Sequence, residues 1–217
     1  GIAAQPPPSH GTRRDVTIAS SCSDRLLASM SWYCEYASDK PHHKTYHDTE
    51  YGFPLEDERA LFELLSLELS QAGLSWDLIL KKRPTMVKAF EGFHVDTVAA
   101  YGDADAARLL ADPGIIRNRL KVAAIIENAR RLKALRHTHG DFAAWIAAHH
   151  PLNRAGWTKL FRRTFKFMGP EIVNEFLMCI GYLPGAHRDD CPAYEQIAKL
   201  SPPWIGVDAK VYAEKPQ

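Results

Sequence analysis

Glu68 falls with Leu61, Leu64 and Leu65 at spacings of three and four, on the apolar side of one helical pattern. A carboxylate there is costly unless it has a partner or a task. The alternative is a half-exposed Glu at the edge of the stripe, since Glu is almost never fully buried unpaired. Trp76 offers aromatic surface for stacking on a planar ligand or, equally, for core packing. Four cysteines, Cys22, Cys34, Cys179 and Cys191, lie far apart, which is no disulfide framework and leaves core thiols or metal ligands. Cys179, inside the apolar run from Phe176 to Ile180, reads as an inert core thiol, and Cys22 as a free one. His43 and His47 are four residues apart beside His42; with no helical pattern around them, they read as solvated surface.

The formal net charge of +1 conceals segregation. Residues 48 to 68 carry seven acids against Arg59, and residues 117 to 136 carry seven bases against Glu127. Residues 154 to 166 add five bases and no acid. Local potential rather than net charge steers a partner, so the pattern predicts a basic face for a polyanion. With 46% hydrophobic and 24% charged residues, the 217-residue chain can build a sizeable core; collagen, coiled coil and wholesale disorder are excluded. No run approaches eighteen uncharged apolar residues and no signal-peptide layout is visible, so a cytoplasmic protein without membrane attachment is expected.

The elements that must position these residues are helical. Residues 1–28, opening with Pro6, Pro7 and Pro8, predict a flexible leader. Glu56, Asp57 and Glu58 favour a helix start before Leu61, and Gly73 ends that helix. Ser75 can cap the next, which the pattern stops at Pro84. Asp96, Asp103 and Asp141 are further cap candidates. The longest helix is expected from Arg117 to Leu135, burying Leu120, Ala123, Ala124, Ile126 and Leu132 and leaving its bases outside. Another starts at Pro170 and closes before Gly181. No useful period-2 alternation or internal repeat occurs, so the class is all-α. Residues 29–194 form the expected domain of two abutting helical lobes, and 195–217 an irregular tail around Pro202, Pro203 and Trp204.

Several blocks occur in order: Tyr46-His47-Asp48-Thr49-Glu50-Tyr51-Gly52, then Leu67 through Gln71-Ala72-Gly73-Leu74-Ser75-Trp76, then Asp112-Pro113-Gly114-Ile115-Ile116-Arg117-Asn118-Arg119, then Phe165-Lys166-Phe167-Met168-Gly169-Pro170, then His187 with Cys191. Together they closely resemble the 3-methyladenine DNA glycosylase I family of bacterial alkyladenine excision enzymes, over roughly residues 32 to 192. The resemblance implies a helix-hairpin-helix fold that flips an N3-methylated adenine from duplex DNA and cleaves its N-glycosidic bond. It implies Glu68 and Tyr46 as the residues that hydrogen-bond the base, with Trp76 stacking on it and Tyr51, Tyr36 and Gln71 around it. Gly73-Leu74 would be the wedge that fills the gap in the duplex. The turn from Phe165 to Pro170, with Gly169, Lys166 and Arg163, would hold a phosphate. Cys34, His47, His187 and Cys191 would bind one structural zinc with no open position. Double-stranded DNA carrying alkylated bases is the implied partner, for a monomer with no obligate protein partner.

This chain departs from the family pattern at Tyr36 and Tyr51, where Trp is usual, at Ser70, usually Gln, and at His43, often Tyr. Thr164 replaces a glycine before the hairpin, and a Ser/Thr-rich segment between Trp145 and Arg163 is shortened. The pocket-wall changes predict room for other alkylated bases. Most helix-hairpin-helix glycosylases place an Asp after the hairpin, and the resembled family lacks it. Asp189 and Asp190 lie between the expected ligands His187 and Cys191, which gives them a supporting or exposed role. With no strong base and no identifiable Schiff-base lysine, the expected enzyme is monofunctional. Two alternatives stand beside it: a zinc-stabilised lesion-sensing module without turnover, and a hydrolytic zinc site built from the Cys/His set.

Overall fold

Asp57 opens the central helix of the protein by accepting a hydrogen bond from the Ala60 N–H, and Gly73, at φ +77°, leads the chain away from its far end. The computed structural model describes residues 32–213; the expected leader and Cys22 lie outside them. Helix α1 covers residues 32–38, followed by α2 (Pro41–Thr49), the central α3 (Glu58–Gln71) and α4 (Trp76–Ala89). A 3-10 turn at Glu91–Phe93 leads to α5 (Val95–Ala99), α6 (Asp103–Ala111), α7 (Arg119–His139) and α8 (Phe142–His149). The chain closes with α9 (Arg154–Thr164), α10 (Pro170–Cys179), α11 (Pro192–Lys199) and α12 (Ala209–Tyr212). Among the described residues there is no strand, and no helix is long and apolar enough to cross a membrane.

Helix α3 packs against α4, α5, α7, α8 and α10, and every residue from Leu61 to Ser70 is buried. A helix enclosed on all sides must satisfy its polar side chains internally. Ser66 and Ser70 do so by donating to the carbonyls one turn back, each at 2.7 Å. The buried apolar side chains from Tyr46 to Ala186 form one continuous core around it.

Several local expectations are corrected by tertiary contacts. Helix α4 continues through Pro84 to Ala89, because Met86 and Ala89 reach the core and Arg83 clamps Glu50 and Glu63. Packing there outweighs the roughly 3 kcal/mol that an interior proline costs. In α7, Leu120 is 69% exposed and Ala123 is also exposed, whereas Lys121 is buried. The Lys121 ammonium donates to the carbonyls of Ser70 at 2.8 Å and Ala72 at 2.6 Å, the C-terminal end of α3. Asp141 caps α8 as expected, but Asp96 lies inside the first turn of α5, and α6 starts on Asp103 after Gly102. Residues 192–199 are helical, so the tail expected to be irregular from residue 195 begins within α11.

Much of the basic character of residues 117 to 136 is consumed inside the fold. Arg136 pairs with Glu58 and Asp96, Lys133 with Asp96, Arg131 with Glu127, and Arg130 caps the carbonyls of Ala99 and Tyr101. Arg117 and Arg119 make no ion pair among the described residues, and both are exposed.

Candidate active site

Two carboxylates on α3 are almost equally buried, Glu63 at 5% and Glu68 at 3% exposure. Glu63 receives Arg83 Nε at 2.7 Å and Arg59 at 3.0 Å. Among the described residues Glu68 has no cation, and its only hydrogen-bond partner is the Cys179 thiol, which donates to Oε1 at 3.6 Å. Burial pushes the Glu68 carboxyl well above the usual carboxylate range, and the neighbouring Glu175 carboxyl pushes it further. A buried acid in this state is a site waiting for a positive charge.

Around it stand Tyr33, Tyr46, Tyr51 and Trp76. The Tyr46 hydroxyl lies 3.1 Å from Cys179 Sγ, and its ring packs 5.3 Å from Trp76 and 5.9 Å from Tyr51. Tyr33 sits edge-on to Tyr51 at 5.2 Å. Burial raises the phenols of Tyr33, Tyr46 and Tyr51, so these rings stay neutral hydrogen-bonding groups. Trp76 is the first residue of α4, half-buried, where the Ser75 cap fixes the start of the helix. Tyr36 stands further out, stacked on the exposed Trp32 at 4.9 Å with Lys40 over its ring. Gln71 is half-buried at the end of α3.

Beyond α3, Gly73 adopts φ +77° with no atom of the described residues, its chain neighbours aside, within 4 Å of where a Cβ would lie, and Leu74 is 38% exposed. The Lys121 ammonium grips the carbonyls just before this turn, and Ser75 caps the helix just after it. A side chain offered to solvent from a turn braced at both ends suits insertion between bases.

The hairpin between α9 and α10 forms despite Thr164, since the left-handed residue is Phe167, at φ +62°. Buried Asn128 of α7 holds the turn by donating to Lys166 O at 3.1 Å and accepting from Lys166 N–H at 2.7 Å. Gly169 is the N-cap of α10 and no side chain caps that helix, which leaves its first N–H groups open. Lys159, Arg163 and Lys166 are exposed beside it without ion pairs among the described residues. A cleft of about 480 Å³ lined by Arg154, Thr158, Lys159, Arg162 and Pro170 opens on the same face.

The remaining expected residues form a second cluster. Ligand atoms of Cys34, His47, His187 and Cys191 all lie within 4.8 Å of one another. Cys191 Sγ is 3.5 Å from His187 Nδ1 and 3.7 Å from His47 Nε2, and Cys34 Sγ is 3.9 Å from His187 Nδ1. A tetrahedral zinc with ordinary bond lengths sets such nitrogen–sulfur edges at about 3.6 Å. The far ring nitrogens are taken: His47 Nδ1 meets Asp48 at 2.7 Å, and His187 Nε2 meets the Tyr51 carbonyl at 2.7 Å. These contacts fix the tautomers that aim Nε2 of His47 and Nδ1 of His187 inward. Burial holds His187 down at about 4, so it stays neutral. The four residues can therefore hold a metal ion. Three are tied to walls of the aromatic box, since Cys34 follows Tyr33, His47 follows Tyr46, and His187 is bonded to Tyr51.

The histidine cluster expected at the surface is split: α2 makes residues 41–49 helical and buries both His43 and His47, leaving His42 exposed. His43 takes the Tyr33 hydroxyl at 3.1 Å, and its Nε2 lies 3.4 Å from Asp77, in ion-pair reach but without hydrogen-bond geometry. Asp189 and Asp190 are exposed, and Asp190 pairs with Arg188. Cys179 touches Glu68 and Tyr46, Glu175 accepts from Tyr51, and Tyr33 packs on Tyr51; the sequence alone placed none of the three there. A signal for two of them existed, since Glu175 and Cys179 are four residues apart on α10 within an apolar run.

The family model for methyladenine glycosylase matches residues 36–157, more than half of the chain. The chain belongs to the methyladenine glycosylase family. Within it, the chain is 35% identical over 180 residues to DNA-3-methyladenine glycosylase 1 of Escherichia coli (strain K12), covering 74% of this chain and 96% of that protein. It is 31% identical to DNA-3-methyladenine glycosylase of Haemophilus influenzae, covering 75% and 98%. Among solved structures, 3-methyladenine DNA glycosylase I from Staphylococcus aureus matches with a TM-score of 0.67 at 33% identity, covering 74% of this chain and 95% of that one. The likeness extends over most of each relative, so this chain has the methyladenine glycosylase fold as a whole rather than one borrowed element.

Proposed function

We propose that this chain is a monofunctional DNA glycosylase that releases 3-methyladenine from duplex DNA. The observation that carries the reading is Glu68: a buried carboxyl with no cation beside it, set in an aromatic box on this family's fold. An N3-methylated adenine nucleoside is cationic and its glycosidic bond is already weakened. In a dry site, a carboxylate discriminates strongly between that cation and neutral adenine. Leu74 fills the space left by the flipped nucleotide, Trp76 stacks on the base, and Glu68 with Tyr46 receives its polar edge. Exposed Lys159, Arg163 and Lys166, with the open N-terminus of α10, receive the backbone.

The test is release of free 3-methyladenine from methylated duplex DNA at saturating protein. The expected outcome is base release that leaves abasic sites and unbroken strands. DNA binding without release would instead favour a lesion-sensing module.

Zinc is the metal the Cys/His cluster suits best. Two thiolates and two imidazoles complete a tetrahedral shell, so a bound zinc would supply a structural cross-link with no position for catalytic water. It would join α1 and α2 to the segment before α11, and through Tyr33, Tyr46 and Tyr51 it would fix the walls of the box. Metal analysis should return one zinc per chain. Chelation should unfold the protein, since coupled binding and folding at such sites is worth on the order of 10 kcal/mol. Full helicity and melting temperature after chelation would remove the metal from the fold.

A further inference from the structure

We propose that Glu175 is a second substrate-facing acid, which acts on the sugar of the flipped nucleotide while Glu68 holds the base. The inference deepens the glycosylase reading and rests on it. Glu175 is half-buried on α10, and its Oε2 accepts a hydrogen bond from the Tyr51 hydroxyl at 3.5 Å, which places it in the wall of the aromatic box. Four residues on, on the same face of the helix, Cys179 touches both Glu68 and Tyr46. Helix α10 thus runs from the hairpin at Gly169 to the floor of the pocket, with Glu175 between them. At 1.5 Å per residue, Glu175 lies about 9 Å beyond the hairpin and about 6 Å short of Cys179. A nucleotide whose phosphate rests on the hairpin and whose base rests on Glu68 presents its parts in the same order, so its deoxyribose falls at the depth of Glu175.

The chemistry needs an acid there. When the C1′–N9 bond breaks, its electron pair leaves with the base: the cationic 3-methyladenine departs neutral and positive charge moves to the sugar. A carboxylate beside C1′ stabilises that charge as it develops. Water then adds to C1′, its proton passes to the Glu175 carboxylate, and the abasic sugar keeps the hydroxyl; the proton is later lost to solvent. No further reactant is required.

Groups from every packed element bear on Glu175. Tyr51 donates to it, Arg154 of α9 favours its ionised form, and Glu171 of α10 opposes that form. Burial is the largest influence and raises its carboxyl. Glu68 and Cys179 face it from the floor of the pocket.

The test uses the full chain and two duplexes that need no turnover, one with a cationic pyrrolidine abasic analogue and one with the neutral tetrahydrofuran analogue. The wild type should bind the cationic duplex about 10-fold more tightly, one charge-assisted contact. Glu175→Gln should erase that preference while its affinity for undamaged DNA is retained, and should slow single-turnover release of 3-methyladenine about 100-fold without changing affinity for the free base. Equal wild-type affinity for the two duplexes overturns the role of Glu175. So does a Glu175→Gln rate equal to wild type, or a variant that loses free-base binding in step with its rate. A wild type that prefers the cationic duplex but releases no base from methylated DNA would overturn the glycosylase reading alone.

Discussion

Glu63 and Glu68 sit little more than a turn apart on one enclosed helix, almost equally buried, yet in opposite electrostatic surroundings. Arg59 and Arg83 neutralise the first, and the second has only a thiol for company. Burial alone therefore does not mark a site. The mark is a buried charge-bearing group that the chain itself leaves without its counter-charge, because only such a group gains from a ligand that brings one.

Two substitutions separate these roles. Glu68→Gln keeps the shape and removes the acid that captures the cationic base, so release at limiting protein should fall by about 10²-fold through lost binding of the flipped base. Stability should move the other way. The folded carboxyl is raised above 4.5, so the contribution of Glu68 to stability is fully present below that pH and is lost as pH rises through the raised value. Glu68→Gln should flatten this decline in denaturant melts taken across pH. Retained turnover, or a wild-type curve equally flat, would place Glu68 with Glu63 as a structural residue. The smaller effect is that of Glu63→Gln, which removes the carboxylate that Arg83 and Arg59 share while Arg83 keeps Glu50, and should cost about 1.5 kcal/mol of stability. Release per folded molecule should not change, and a specific loss of turnover at constant folded fraction would erase the distinction.

The metal cluster extends the contrast. Its four donor atoms lie within 4.8 Å of one another and both outward ring nitrogens are already bonded, so one metal ion would complete it. The box beside it lacks a counter-charge: Glu68 lies there, and the Glu175 carboxyl disfavours its ionised form. A cationic base lifts that conflict, which ties selectivity for a charged lesion to the same pair of acids.

The site was legible where chemistry is carried by local blocks. Glu68, Tyr46 and Trp76 fall within 31 residues of sequence, and the fold packs the Tyr46 ring against Trp76 and brings its hydroxyl to Cys179, which also contacts Glu68. The cluster of Cys34, His47, His187 and Cys191 was legible only through the family's ordered blocks, since its members are up to 153 residues apart in direct contact. Glu175 was missed because its partners Tyr51 and Glu68 lie on other elements. Lys121 was assigned outward because periodicity counts side chains by type, and no local pattern shows two helix-end carbonyls waiting for an ammonium. Part of the charge between 117 and 136 is neutralised inside the fold for the same reason: Glu58 and Asp96, which pair with Arg136, come from distant parts of the chain.

The amino-acid sequence by itself determined the helical class and many helix ends: the Asp57, Ser75 and Asp141 caps, the Gly73 exit, and Pro170 at the first turn of α10. These depend on backbone hydrogen bonds and dihedral preferences within a turn of the residue concerned. Only the tertiary structure decided which buried charges are answered and which are left open. Glu68 meets Cys179 across 111 residues and meets no cation among the described residues, and an interaction's strength depends on distance in space and on the exclusion of water, neither of which is written in sequence separation.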